Sequence, residues 1–248
     1  MRHKLKNLAL PIGVIYDVDF GIHNYKSFDF FGHEVYITTT HISMAIVMLI
    51  LIVFAIAANI AIRRADPNKA PSGFLNVVEF LVQAVDNMAI GGMGATHAGK
   101  YANYLGSLFA FVVLSNISGL LGLRPPTADY GTTFALAIIT FVLIHYAGFK
   151  YQKFGHITSL FKPVILSPIN IIGEIATPIS MSLRLFGNIL SGTVMMALIY
   201  GLIPKILTIA WPGVLHIYFD IFSGCIQAYV FVMLTMVFVS GNFEAGEE

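Results

Sequence analysis

Three full charges stand inside otherwise apolar stretches of this chain: Glu174, Arg184 and Asp220. A charge at the centre of a bilayer costs at least about 2.5 kcal/mol, so each is a functional candidate by default. A structural ion pair, with Arg184 neutralised by Glu174 or Asp220, is the competing reading. Arg184 has polar company: Thr177, Ser180, Arg184, Asn188 and Ser191 follow at steps of three, four, four and three, which draws one stripe on a helix. Such a stripe needs a wet or protein-covered neighbour, and Gly187 and Gly192 close to it would let another backbone approach. Asp220, Ser223 and Gln227 make a second polar face, spaced three and four, with Asp220 and Gln227 nearly eclipsed on an α-helix. One stripe with a permanent cation facing another with an acid suits the movement of a small cation through lipid. Bond-making chemistry is poorly served, because there is no His-Glu-x-x-His, no nucleophile elbow and no dense cluster of ligands. His145 and His216, in apolar runs near the interfaces, read as hydrogen-bonded structural histidines rather than relays. The single cysteine, Cys225, excludes an intramolecular disulfide and a multi-cysteine metal site.

The elements that must carry these residues follow from the composition. Of 248 residues, 57% are hydrophobic and only 11% charged, less than half the roughly 25% charge of an average soluble domain. With a mean hydropathy of +0.79, the solvent is lipid. A net charge of +1 provides no whole-chain field for nucleic acid, and no cofactor or metal is expected. A bilayer core needs roughly 20 apolar residues of helix, and such runs fall at 42–62, 103–123, 131–149, 164–203 and 213–240. The expectation is an all-α polytopic protein with one membrane domain over 41–240, preceded by an extramembrane tail, 1–40, and followed by an acidic tail, 241–248. The amino-terminal tail carries Asp17, Asp19, Asp29 and Glu34, which neither a span nor a signal-peptide core would tolerate, and has room for a surface helix. The fourth run could split at Pro178. The unbroken polar stripe across that position favours one long, strongly tilted helix, forming a hairpin with the last.

Lysine and arginine set the orientation. Arg63, Arg64, Lys69 and Lys100 follow the first span, and Lys150, Lys153 and Lys162 follow the third, whereas the alternate loops hold only Arg124 and Lys205. Residues 63–100 and 150–163 are therefore expected in the cytoplasm, with the carboxyl terminus inside and the amino terminus outside. Residues 73–91 read as an amphipathic helix on the cytoplasmic surface, with Phe74, Val77, Val78, Leu81, Val85 and Met88 on one face and Glu79, Gln83, Asp86 and Asn87 mostly opposite. A helix covered by a soluble partner is the alternative. A G-x-x-x-x-G-K string ends at Lys100, but no strand precedes it and Tyr101 stands where a P-loop needs Ser or Thr. Its glycines read as a turn into the second span.

Ser182-Leu183-Arg184-Leu185-Phe186-Gly187-Asn188 resembles the signature of subunit a of bacterial F-type ATP synthases. Pro178-Ile179-Ser180, the Asn116–Leu123 string and Gln227-Ala228-Tyr229-Val230-Phe231 resemble the same family in the same order. The resemblance implies a non-catalytic stator subunit in the bacterial cell membrane, beside a rotating ring of c subunits and alongside the subunit b peripheral stalk and the rest of the F1Fo complex. It implies that Arg184 faces the ring's carboxylates, with Asn188 and Gln227 next to it and Asn116, Glu174 and Ser180 lining aqueous half-channels. Two departures stand out. Many members carry Glu nine residues after the arginine, where this chain has Thr193, and His seven residues before the glutamine, where it has Asp220. The acid has changed helices, which makes Asp220 the better relay candidate. A secondary transporter of a small solute is the chief rival, although no second copy of the arginine motif is present; a structural membrane anchor is a third reading.

Overall fold

The computed structural model describes residues 24–30, 33–65, 73–161, 165, 167–202 and 211–243. The described part of the amino-terminal tail is an antiparallel hairpin, β1 (Asn24–Phe30) and β2 (His33–Thr38), with Ser27 opposite Tyr36 and Phe28 opposite Val35. No surface helix falls among the described residues of the tail. The segment is rich in aromatic and β-branched residues, which suit a pleated pair better than a helix; residues 1–23 lie outside the described residues.

From Thr39 the described chain is almost wholly helical: α1 (Thr39–Arg64), α2 (Gly73–Met93), α3 (Ala95–Ile117), α4 (Tyr130–Gln152), α5 (Phe154–Leu160), α6 (Ser167–Leu202), α7 (Trp211–His216) and α8 (Gly224–Ser240). A π-helical stretch, Ile217–Ser223, joins α7 to α8. Among the described residues six helical stretches are long and apolar enough to cross a membrane, one more than expected, and the addition is α2. The long helix is unbroken: α6 runs 36 residues through Pro178, about 54 Å at 1.5 Å per residue. Between α3 and α4 the chain turns through a 3₁₀ turn (Ser118–Leu121), left-handed Gly122 and the Asp129 cap, whose carboxylate accepts from the Gly131 amide at 2.9 Å.

The core sits among α3, α4, α6 and α8, where Leu105, Val112, Ala137, Leu185, Phe231 and Val232 are all but sealed. Ala89, Ala147 and Ala228 are also completely buried. In lipid no hydrophobic force drives helices together, so small side chains that allow close backbone approach and dense van der Waals contact do that task. The large exposed aliphatic residues, from Leu49 on α1 to Val237 on α8, would be a liability in water but suit a lipid or protein surround.

α2 packs against the bundle. Gly94 alone separates it from α3, at φ 74°, which glycine adopts without strain. Val85 then lies against Gly106, 3.2 Å from where a β-carbon would stand. These residues are nine before and twelve after the hinge, roughly 14 and 18 Å along their helices, so their contact requires an acute angle: α2 folds back along α3. Val78, Ala89 and Met93 are buried, whereas Phe74, Val77 and Leu81 remain outward-facing beside Glu79 and Gln83. The apolar face is thereby divided between the bundle and its surroundings.

One end of the bundle gathers three segments distant in sequence. His97 stacks on Phe243 with ring centroids 4.2 Å apart, Tyr151 meets the same ring edge-on at 4.8 Å, and Lys100 and Lys150 both approach Tyr151. Asn242 donates to the carbonyl oxygens of Phe238 and Ile144, and Gln152 donates to that of Asn242. The two lysine-bearing loops therefore share one end, as their charges predict. The carboxyl-terminal segment is not free from residue 241 onward, since Asn242 and Phe243 belong to the packed domain; Glu244, Glu247 and Glu248 lie outside the described residues.

Candidate functional site

α6 turns one face inward and one outward. Met181, Ser182, Leu185 and Ile189 are buried at the three- and four-residue spacing of a helix, while Ser180, Leu183, Arg184, Leu190 and Ser191 are exposed. A cleft of about 180 Å³ opens beside Arg184, lined by Thr177, Ser180 and Arg184 on α6 and by Leu234 and Phe238 on α8. It has room for several water molecules and presents two hydroxyls and a guanidinium to them. Among the described residues no acid lies within ion-pair distance of Arg184. The structural ion pair that competes for this residue is therefore absent, because both candidate acids have other partners.

Glu174 lies ten residues before Arg184, about 15 Å along the helix. Its Oε1 is 3.6 Å from His145 Nε2 on α4, and His145 Nδ1 is 3.0 Å from His156 Nε2 on α5. Asp220 Oδ2 is 2.7 Å from His216 Nδ1, one turn back on the same helix. The two histidines are hydrogen-bonded, as expected, His216 to Asp220 and His145 to His156, and His145 also stands 3.6 Å from Glu174. His156 and the convergence on it escape the sequence, which shows no dense cluster of ligands: its partner on α4 is eleven residues away and that on α6 eighteen.

The second polar face is rearranged. In an α-helix seven residues nearly complete two turns, but in a π-helix, with i→i+5 bonds, each turn takes more residues, so Asp220 and Gln227 are no longer eclipsed. Asp220 points toward the 3₁₀ turn after α3, 3.9 Å from where a Gly119 β-carbon would stand. Ser223 donates to Asn188 Oδ1 at 2.9 Å, tying the π stretch to α6. Gln227 is turned into the bundle, 9% exposed, with no partner for its Nε2 among the described residues. Such π turns are frequent at functional sites. Phe219 packs over Gly192, 3.5 Å from a notional β-carbon, so the π stretch is level with residues 188–192 of α6. The acids thus flank Arg184, Glu174 toward one end of α6 and Asp220 toward the other.

Asn116 is 1% exposed and sits inside the bundle. Its Nδ2 donates to the Gly224 carbonyl at 2.9 Å and its Oδ1 accepts from Thr127 at 2.7 Å, which fastens α3 to the junction of the π stretch and α8. Ser191 donates to the Asn188 carbonyl and Thr193 to that of Ile189, so both hydroxyls are engaged within α6.

The family model of the ATP synthase A chain matches residues 41–240. The chain belongs to the family of ATP synthase subunit a. ATP synthase subunit a 1 of Pelobacter propionicus is 34% identical over 205 residues, covering 80% of this chain and 85% of that protein. ATP synthase subunit a of Desulforamulus reducens is 36% identical over 216 residues, covering 84% and 78%. The sodium ion specific ATP synthase subunit a of Propionigenium modestum is 39% identical over 166 residues, 60% of this chain and 56% of its own length. As a member of this family, the chain is a multi-pass membrane protein, an ion-translocating stator subunit of the Fo sector and a part of the F1Fo ATP synthase.

Proposed function

We propose that this chain supplies two aqueous half-channels separated by Arg184, through which ions reach and leave the carboxylates of a c-subunit ring. The reading rests on one arrangement: an exposed guanidinium with no acid partner among the described residues, flanked by two acids, Asp220 bonded to His216 and Glu174 3.6 Å from His145. A ring carboxylate in lipid is neutral because burial disfavours its charged form. Beside Arg184 and channel water its anionic form becomes favourable, so it yields its ion to one half-channel and, after rotation, reloads from the other. A guanidinium keeps its proton in proteins. Arg184 therefore acts as an electrostatic barrier to direct leakage between the half-channels, and not as an acid or base.

The cleft at Thr177, Ser180 and Arg184, with Glu174 beyond it, serves the cytoplasmic half-channel in this reading. Asp220 and His216, with Asn188, Ser191 and Ser223 near the same level, serve the opposite one. Gln227 offers its amide at the interior boundary between them, and Asn116 acts by holding α3 against the π junction. Each elementary charge crossing about 100 mV delivers roughly 2.3 kcal/mol, which the ring converts to torque; nucleotide chemistry belongs to other subunits, and subunit b holds the stator. The protein resides in the bacterial cell membrane with its carboxyl terminus in the cytoplasm and its amino terminus outside.

The test is Arg184→Ala in the reconstituted complex, expected to assemble and to lose ion-driven ATP synthesis. Retained coupled synthesis would overturn the reading.

A further inference from the structure

From the convergence of three side chains on three separate elements, we infer that His145, His156 and Glu174 form a binding site for a divalent transition cation of the zinc type. One donor atom from each lies within 4.8 Å of the others. Zinc with ligand bonds of about 2.0–2.2 Å draws tetrahedral donors to about 3.4 Å from one another. The 3.0 Å between His145 Nδ1 and His156 Nε2, and the 4.8 Å limit for the set, bracket that spacing. Small side-chain movements therefore suffice. Two imidazoles and a carboxylate are a known zinc set that leaves a fourth position for water.

The surroundings hold the rings in place. Gly148 lies directly under His156: a β-carbon there would come within 2.6–2.7 Å of three ring atoms, so the absence of a side chain is what seats the imidazole. Lys153, at φ 52° in a region that favours glycine, turns the chain so that α5 returns onto α4. Phe141 meets His145 edge-on at 4.1 Å and Phe149 meets His156 at 5.5 Å, which restrains both planes. His145 and Glu174 retain 24% and 31% of their side-chain exposure, which gives a cation a way in, while His156 is buried behind them. A strained turn and a side-chain-free seat exceed what a chance meeting of surface groups requires.

The consequence for transport rests on the function proposed above, since a bound cation would occupy the Glu174 carboxylate and slow ion passage. Binding is tested directly in the purified ATP synthase complex, with zinc content and the visible ligand-field absorption of added Co²⁺ as readouts. Wild type is expected to hold one more zinc per complex than His156→Gln, and to give a tetrahedral Co²⁺ spectrum that His145→Gln or Glu174→Gln weakens. Loss of a ligand should lower affinity at least about 100-fold, because changes to outer partners alone cost 10–100-fold. Equal metal content and spectra in wild type and variants overturn the site. Should a variant fail to assemble, zinc X-ray absorption of the wild-type complex decides: a shell with two imidazoles supports the site, and one without them overturns it. Zinc bound with ATP-driven pumping unchanged supports the metal site and removes Glu174 from the ion path. Absence of binding, with pumping slowed by Glu174→Gln, overturns the metal site alone.

Discussion

A methyl group at Gly224 tests how the π junction is held. A β-carbon there would stand 2.9 Å from the Asn116 β-carbon and 3.5 Å from its amide nitrogen, whereas carbon atoms pack best at about 3.5–4.0 Å. The Asn116 β-carbon is fixed to the α3 backbone, so relief must come from moving α8 or turning the amide. Turning the amide breaks two buried bonds, to the Gly224 carbonyl and from Thr127, each contributing about 0.5–1.5 kcal/mol net. Overpacking costs about 1–3 kcal/mol. Alanine in a helix recovers about 1 kcal/mol relative to glycine, so Gly224→Ala should destabilise by about 1–5 kcal/mol, assuming both penalties act. At roughly 2–4 °C per kcal/mol for a chain of this size, thermal melting of the purified complex, followed at this subunit, should fall by at least about 2 °C. ATP-driven pumping should fall with it, because Ser223 and Asp220 shift relative to Asn188. Gly187→Ala is the control for stability, since nothing lies within 4 Å of its added carbon, and it should melt no lower than wild type. A Gly224→Ala complex that melts at or above the wild-type temperature and pumps normally would refute the reasoning.

Arg184→Ala should change subunit melting by no more than the roughly 0.5 kcal/mol typical of exposed sites, since it orphans no acid; a loss near the 3–5 kcal/mol of a broken buried pair would restore the structural ion pair. Asp220→Asn should slow ATP-driven pumping in inverted vesicles, because it removes the charge facing His216 and the Gly119 turn; an unchanged rate would make Asp220 structural. Phe243→Ala should cost about 3–5 kcal/mol, as for buried aromatics elsewhere, by emptying the site against His97, Tyr101 and Tyr151. Limited proteolysis of the carboxyl-terminal segment should report that change, and an unaltered cleavage rate would count against its packing.

Much was legible in the residues alone. Lipid as solvent follows from the scarcity of charge, and the unbroken α6 from a polar stripe that keeps its helical step through Pro178. The Arg184 stripe and the family signature are local patterns, so neither needs a neighbour to be read. What periodicity cannot supply is the identity of the neighbour. The His216–Asp220 contact is a local i,i+4 step, but the partner of Glu174 depends on which helices touch and how each is rotated. His145 is 29 residues from Glu174, and no local rule joins them. The π stretch changes the rotation again, separating Asp220 from Gln227, where Phe219 packs over Gly192 and Ser223 bonds Asn188.

The same limit explains α2 and the carboxyl-terminal segment. An amphipathic pattern states that one face must be covered, not whether lipid or α3 covers it; the choice lay with the Gly94 hinge and the room at Gly106. Phe243 follows the last apolar run in a polar, acidic context, yet it fills a gap among His97, Tyr101 and Tyr151 that exists only once the bundle has formed. The sequence by itself determined the solvent, the long helices and the lone intramembrane guanidinium, because each is a property of one helix and its burial cost. Only the tertiary structure decided that Glu174 on α6 meets His145 on α4 and that Asp220 lies level with the opposite end of the Arg184 stripe, because such contacts depend on the relative rotation and close approach of separate helices.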